Sequence, residues 1–373
     1  MSNTIRYGLI GCGGFGRFCL EAYQSLEGMQ CVAVADQDAA LAHFTAAQTG
    51  LEACGSPDEL LARQDIDLVH LATPPFTHAS LATAALNAGK HVLCEKPLAL
   101  NLQDASAMIH LAAEKKRILA VNLIMRYNPL CRAVKAVIDS RILGAPVHAS
   151  LINSAKDEPL PAAHWFWDRE KSGGIFIEHG VHFFDLFEWW FGSGTLLSAH
   201  QVHRPDSRIV DQVLASVQYG GGVLGTFYHG FHQLGRRDEQ TWRLIFELGT
   251  ITLTEWVPTE MKLDVSLSDA EFEKLTALLP GVRVQLLERY PAEDSHARSR
   301  HRDRLVEVHA GMTLDAGFAK QELYAKMLRD LMTDQLAAIR DPAHVRVVGE
   351  RNGLTSLAYA VSAQMAAGAG GVL

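Results

Sequence analysis

The run Ile5-Arg6-Tyr7-Gly8-Leu9-Ile10, followed directly by Gly11-Cys12-Gly13-Gly14-Phe15-Gly16, is the stretch on which the fold turns. A short apolar segment closed by glycines reads as a strand buried on both faces. From Phe15 to Leu26 the composition becomes helical, so the glycines stand between a strand and a helix. A G-x-G-x-x-G string alone is a weak signal, but in this position it has a mechanism. Gly11 permits a tight turn, Gly13 lets backbone approach a pyrophosphate, and Gly16 allows close packing of helix on strand, with Gly14 and Phe15 completing the loop. The helix N-terminus then faces the anion.

Working outward, the same rhythm continues. Cys31–Ala35, Leu68–Ala72, His91–Cys94 and Ile118–Asn122 read as further buried strands, and Asp38–Gln48, Thr77–Ala88 and Leu102–Lys115 as helices between them. Alternation of this kind predicts an α/β domain with an open, doubly wound parallel sheet and right-handed crossovers. Asp36 ends the second strand, placed to accept hydrogen bonds from adenosine ribose hydroxyls; Gln37 and Asp38 follow, with no Arg or Lys to neutralise a 2′-phosphate. NAD is therefore expected rather than NADP. The competing reading is that Asp36 merely caps the next helix. Thr73-Pro74-Pro75, then Phe76-Thr77-His78, and later Glu95-Lys96-Pro97, fall at carboxyl ends of strands, where ligands of open α/β sheets bind. Lys96 is either a surface turn residue or a working amine beside the nicotinamide half-site.

After Asn122 the rhythm changes. A helix over 128–140 leads through Gly144-Ala145-Pro146 into an extended run, Val147–Ser154. Val213–Tyr219, Val223–Phe231, Thr241–Leu248 and Thr250–Trp256 then cluster as strands without intervening helices, which predicts an antiparallel sheet in an α+β domain. Helices near Lys320–Ile339 and Asn352–Ala367 close the chain. We place the first domain at 1–125 and the second at 126–373. One segment, 280–309, is polar and rich in Arg298, Arg300, His301, Arg302 and Arg304. It reads as a solvated excursion or subunit contact, or alternatively as a cradle for an anionic substrate.

Between Gly173 and Asp185 an apolar run is interrupted by Glu178, His179, His182 and Asp185. At the α-helical repeat, positions 178, 182 and 185 share one stripe. The other faces are apolar, as in a buried helix, and burying ionisable groups is costly unless they are paired or used. The stripe is thus a proton-handling site or a mutually satisfied hydrogen-bond cluster. Trp165 and Trp167 offer aromatic faces to a sugar ring or belong to a core. Arg126 and Arg169 are candidate substrate contacts, and His229 reads as an ordinary sheet residue.

Composition bounds the partners. At 373 residues two domains are expected. A net charge of -8 argues against nucleic acid or an anionic membrane surface and for a small-molecule partner. Met1–Arg6 carries no leader pattern, and charges break every apolar stretch well before about 20 residues, so no export signal or membrane span is expected and a cytoplasmic location is. The six cysteines show no C-x-x-C pair and read as reduced thiols, with a redox role for Cys12 or Cys94 as the alternative.

The glycine loop, Asp36, the Thr-Pro-Pro segment, Glu95-Lys96-Pro97 and the pattern Gly173-Gly174, four residues, Glu178-His179-Gly180-Val181-His182, then Asp185 together resemble the Gfo/Idh/MocA oxidoreductase family. The resemblance covers nearly the whole chain. It implies an N-terminal Rossmann dinucleotide-binding domain and a C-terminal α+β domain whose large, mostly antiparallel sheet often mediates homo-oligomers, here a dimer or tetramer. It implies cofactor contacts from Gly11, Gly13, Gly14, Phe15, Gly16, Asp36, Thr73, Pro74, Pro75, His78, Glu95, Lys96 and Asn122. Lys96 and His182 are implied to meet at the nicotinamide, with His182 the general base and Lys96 holding substrate and cofactor. The first acid of the pattern is usually Asp in the family and is Glu178 here; whether it touches substrate or only orients His182 is open.

The expected reaction is hydride transfer between NAD and a secondary hydroxyl of a sugar or cyclic polyol. Loss of hydride leaves a carbonyl only if the hydroxyl proton departs to a base; a neighbouring carboxylate is expected to raise the basicity of His182. Three other readings stand beside it. One is a redox-neutral glycosidase that uses NAD transiently, and another a non-catalytic NAD-responsive sensor. The third is a metal site at Glu178, His182 and Asp185; neither H-E-x-x-H nor a cysteine ligand set is present, so no metal is expected.

Overall fold

The computed structural model describes residues 4–157 and 159–370. The first element is the strand β1 (Ile5–Ile10), and Gly14–Tyr23 follows as helix α1. Strands β2 (Met29–Ala35), β3 (Glu52–Ala53), β4 (Leu68–Leu71), β5 (His91–Cys94) and β6 (Leu119–Val121) complete a parallel sheet in the order β3-β2-β1-β4-β5-β6. This is the doubly wound order, with its switch point between β1 and β4. Helices α2 (Ala39–Thr49), α3 (Pro57–Ala62), α4 (His78–Asn87) and α5 (Leu102–Lys115) supply the crossovers. Their starts are written locally. Asp38 caps α2, Ser56 caps α3 ahead of Pro57, and Asn101 caps α5. The two-residue edge strand β3 and the short α3 were not legible, being too short for any periodicity to show.

Helix α6 (Pro129–Ser140), capped by Asn128, precedes β7 (Pro146–Lys156). Helix α7 (Arg169–Ser172) and a π-helical turn, Phe176–Gly180, lead into α8 (Val181–Phe191). Then come β8 (Gly194–His203), β9 (Val210–Tyr219), β10 (Leu224–Gln233), β11 (Glu239–Phe246), β12 (Gly249–Thr254), β13 (Glu260–Leu267), α9 (Asp269–Leu278), β14 (Arg283–Arg289), a hairpin of β15 (His296–Ser299) and β16 (Arg302–Leu305), β17 (Val308–Asp315), α10 (Lys320–Arg340) and α11 (Glu350–Gly368).

The second sheet runs β14-β17-β13-β12-β11-β7-β10-β9-β8. Only the β7 and β10 neighbours are parallel; the rest are antiparallel. One face is apolar: Phe187, Trp190 and Phe191 meet Tyr219, Phe227 and Trp242 there. Five of the nine strands, β7 and β9 to β12, were read from sequence in shifted bounds. β8, β13, β14 and β17 were not, and 280–309, expected as an excursion, contains the edge strand β14 and the β15–β16 hairpin.

Compactness does not follow the single break expected at 125/126. One unit comprises 1–124, 161–185 and 324–362; the other comprises 125–160, 186–323 and 363–373. The first break falls near the expected place. Aromatic contacts accompany these returns: Tyr324 meets Phe15 and Phe18 of α1, and Tyr359 stacks on Phe184 of the segment 161–185. Among the described residues no helix is long and apolar enough to cross a membrane.

Candidate active site

The first unit brings three groups of residues to its sheet's carboxyl edge. The first is the glycine loop. Gly11 has φ +104°, and a Cβ there would sit 2.3 Å from the Ala72 carbonyl oxygen, so only glycine lets the turn after β1 pass the end of β4. At Gly16 a Cβ would sit 2.0 Å from the Gly11 carbonyl oxygen. Gly13 and Gly14 differ: a Cβ at either meets nothing within 4 Å. The chain's own packing therefore does not demand glycine at 13 and 14; open space lies before the uncapped N-terminus of α1, which has no acidic residue in its first turn. This is the cradle a pyrophosphate fits. Phe15, expected at the cofactor, packs its ring against Phe18 and Tyr324, which leaves its backbone for the loop.

Asp36 lies under that loop. Its Oδ2 accepts from the Cys12 amide at 2.7 Å and its Oδ1 from the Asp38 amide at 2.9 Å. Asp38, not Asp36, caps α2, which removes the competing reading. Burial and Asp36 push the Cys12 thiol up to about 11, so a thiolate is disfavoured there, and all six cysteines are free thiols.

The second group is formed by the loops after β4 and β5. Pro74 and Thr73 are half-buried, and the Thr77 hydroxyl donates to Thr73 Oγ1 at 2.7 Å. Three residues expected to touch the cofactor also carry hydrogen bonds that hold these loops. His78 is fully buried, with Nδ1 2.7 Å from the Pro97 carbonyl oxygen and Nε2 2.9 Å from that of Thr73. It ties the Thr-Pro-Pro loop to the Glu-Lys-Pro loop. Burial lowers its pKa, and a neutral ring donates to only one carbonyl at a time. Glu95 is also buried: its Oε1 accepts from His70 Nε2 at 3.1 Å and from Asn122 Nδ2 at 2.8 Å. These bonds brace the loops from within the protein, and the expected cofactor contacts of His78, Glu95 and Asn122 belong to the proposed function.

The third group carries the chemistry. Lys96 Nζ donates to Glu178 Oε1 at 2.5 Å and to the Glu178 backbone carbonyl at 2.7 Å. The two residues lie 82 positions apart, and both side chains are largely shielded. The π-helical turn over Phe176–Gly180 breaks the expected α-helical stripe: Glu178 sits inside the wide turn, whereas His182 and Asp185 follow it in α8. A π turn of this kind changes where successive side chains point. His182 is 5 % exposed, and burial first, then Lys96, then His179, lowers its pKa well below the ordinary histidine range. Burial thus outweighs the expected rise in its basicity from a neighbouring carboxylate. His179 is enclosed by neighbouring atoms although part of its surface is open, and burial with Lys96 pushes it down to about 3.

Trp165 and Trp167 stand half-buried on a short turn with Phe166 between them, and Arg169, exposed, opens α7. Arg126 belongs to the other unit, where it is buried with its guanidinium over Trp189. His229 is a buried residue of β10. Sequence reading missed His70, which has no motif signal. Among the described residues one set of metal-ligand type occurs, Cys19, His70 and Glu95, within 4.8 Å of one another. Hydrogen bonding accounts for it: Glu95 is engaged as above, and burial holds the Cys19 thiol well above its ordinary range. Glu178, His182 and Asp185 form no such set among the described residues.

The class follows from this arrangement. Residues 5–123 match the model of an oxidoreductase family with an NAD-binding Rossmann fold, and 131–252 match the GFO/IDH/MocA C-terminal domain. The chain belongs to the GFO/IDH/MocA family of oxidoreductases. Among curated relatives it is 29% identical to inositol 2-dehydrogenase 1 of Saccharopolyspora erythraea over 67% of this chain and 74% of that one. It is 32% identical to inositol 2-dehydrogenase of Rhizobium meliloti over 51% of this chain and 56% of that one. The chain spans about half the length of several curated relatives it matches. A putative myo-inositol dehydrogenase from Sinorhizobium meliloti shares the fold, with TM-score 0.72 and 22% identity over 99% of both chains. Levoglucosan dehydrogenase, solved with NADH and L-sorbose, shares it with TM-score 0.75 and 19% identity over 98% of this chain and 97% of that one.

Proposed function

We propose that this chain is an NAD-dependent dehydrogenase acting on a secondary hydroxyl of a sugar or cyclic polyol. One observation carries the reading: Lys96, at the carboxyl end of β5, is clasped by Glu178 through both carboxylate and carbonyl, in the same unit as a buried, neutral His182. A structural ion pair does not require a neutral histidine beside it, whereas proton abstraction does. Gly11, Gly13, Gly14, Gly16 and Asp36 would hold the dinucleotide, with backbone amides toward the pyrophosphate and Asp36 toward the ribose. When bound, NAD supplies the hydride acceptor.

The chain's own residues do the rest. The imidazole of His182, uncharged at neutral pH, accepts the substrate hydroxyl proton. Lys96 offers a positive charge where negative charge develops on that oxygen. Glu178 is a positioning residue in this scheme, since its carboxylate and carbonyl fix the amine. Glu95, His78 and Asn122 keep the Lys96 loop in register from behind. Trp165 and Trp167 are proposed as the aromatic wall for the sugar ring, with Arg169 as a further substrate contact. The inositol dehydrogenases among the relatives support a cyclic polyol as the first substrate to try. A cytoplasmic homo-oligomer is part of the same reading.

The test is NADH formation on a panel of inositols, aldoses and anhydrosugars at neutral pH. The reading expects turnover on at least one member with NAD and slower turnover with NADP. NAD binding without NADH on any member, or leaving-group release without net NADH, would replace it with the sensor or the glycosidase reading.

A further inference from the structure

Strand β14, Arg283–Arg289, is exposed at all seven of its residues. It ends the nine-stranded sheet, bonded to β17 on one side and to no strand on the other among the described residues. Its apolar side chains stand in solvent: Val284 is 43% exposed, Leu286 51% and Leu287 47%. The opposite edge, β8, exposes Leu197 and Val202 but keeps Leu196 and Ala199 buried, whereas no residue of β14 is buried. An exposed apolar edge strand is a template for another strand.

The sequence of β14 says which strand fits. Its pairing with β17 runs Arg283↔Thr313, Gln285↔Gly311 and Glu288↔His309, with a bulge between Leu286 and Glu288. Thr313, Gly311 and His309 alternate along β17, so Arg283, Gln285 and Glu288 share one face of the sheet. Without the bulge Glu288 would point the other way. When β14 is laid antiparallel to itself about a two-fold axis through Gln285, with Leu287 left as the bulged residue, directly opposed residues fall on the same face. Arg283 then meets Glu288 of the partner subunit, Val284 meets Leu286 of the partner subunit, and each pair occurs twice. Opposite charges and apolar pairs facing each other across an antiparallel ladder are stabilising. Arg283 has only a distant contact at home, 3.9 Å from Glu260, and both side chains are exposed. Arg289, which has no place in this ladder, is occupied at 2.8 Å by Asp269.

We propose that β14 is a self-complementary docking edge that joins two copies of this chain through antiparallel β14–β14 pairing centred on Gln285. An isologous contact needs one patch that is its own complement, and this register provides it. The proposal rests on the homo-oligomer of the proposed function and names its interface; its failure is distinguishable from failure of the catalytic reading, since a chain without dehydrogenase activity would pair in the same way.

The experiment is light scattering with size exclusion, and sedimentation equilibrium, on the full chain across a micromolar concentration series. The wild type is expected to dimerise. R283E and L286D are each expected to weaken the dimer at least tenfold with unchanged circular dichroism and Tm, and the double variant R283E/E288R to restore it. A monomeric wild type overturns the proposal. So does an oligomer indifferent to R283E and L286D, which would place its interface elsewhere, and so does a double variant that stays dissociated while folded.

Discussion

The glycine loop and the segment 173–185 both serve the first unit, yet they are built on opposite principles. In the loop, each residue's reason lies within a few ångströms of its own backbone. Gly11 and Gly16 are excluded from carrying a Cβ by the Ala72 and Gly11 carbonyls, and Asp36 is tied to the loop by the Cys12 amide. In 173–185 the reasons are remote. Glu178 is explained by a lysine 82 positions away, and the turn that carries it is π-helical rather than α-helical. Local geometry can be read from spacing; a buried charge pair is defined only by the fold that assembles it.

Removing the remote pair should cost most. Lys96→Ala and His182→Ala are each expected to lower kcat by about 10²- to 10⁴-fold, the usual worth of a positioned proton-transfer or charge-stabilising group. NAD binding, followed by quenching of intrinsic fluorescence, should persist in His182→Ala. Glu178→Gln should lower kcat less, because the backbone carbonyl still accepts from the amine, and Glu178→Asp should recover part of the loss.

The loop should break in two distinguishable ways. Gly16→Ala forces a Cβ to 2.0 Å from a carbonyl oxygen and should lower stability by about 1–3 kcal/mol, read as a lower denaturant midpoint. Gly13→Ala meets no protein atom, so the midpoint should hold while the Kd for NAD rises at least tenfold. Equal effects of the two substitutions would mean that the loop has no ligand to cradle.

Smaller effects should come from the residues behind the site. His78→Asn keeps a donor toward one loop carbonyl only and should raise KM for NAD a few-fold with kcat little changed. The pH dependence has a definite sign. Folding depresses the pKa of His182, His78 and His179, the last to about 3. Above about 6.5 these rings are neutral in both folded and unfolded chains. As pH falls below that value the unfolded chain takes up protons that the folded chain refuses, so stability declines progressively toward the folded pKa values. Tm should therefore fall between pH 6.5 and pH 4, less steeply in His179→Phe.

Much of the fold was legible. β1 and β5 were expected at their observed bounds, and α5 likewise, because strands buried on both faces and capped helices announce themselves locally. β3 is too short to carry a pattern, whereas β13 alternates polar and apolar residues and carried a strand signal that was not read. The return of 161–185 and 324–362 to the first unit depends on aromatic faces finding distant partners, which no window of sequence contains. At the site, the motif residues were found, but the hydrogen bonds that several of them make to the protein were not foreseen. His78, Glu95 and Asn122 occupy positions that suggest ligand contact, and only their hydrogen bonds reveal that they brace the loops. The stripe of 178, 182 and 185 assumed 3.6 residues per turn throughout, and the π turn removes that assumption.

The central claim is that Lys96, clasped by Glu178, and neutral His182 act together on a hydroxyl while the glycine loop holds NAD. Single-turnover NADH absorbance, with enzyme in excess over the best alcohol of the panel, separates the chemical step from binding. In the wild type NADH should rise in a single fast exponential, and its rate should be at least about 10²-fold lower in both Lys96→Ala and His182→Ala at saturating NAD. A wild-type rate in either variant would contradict it.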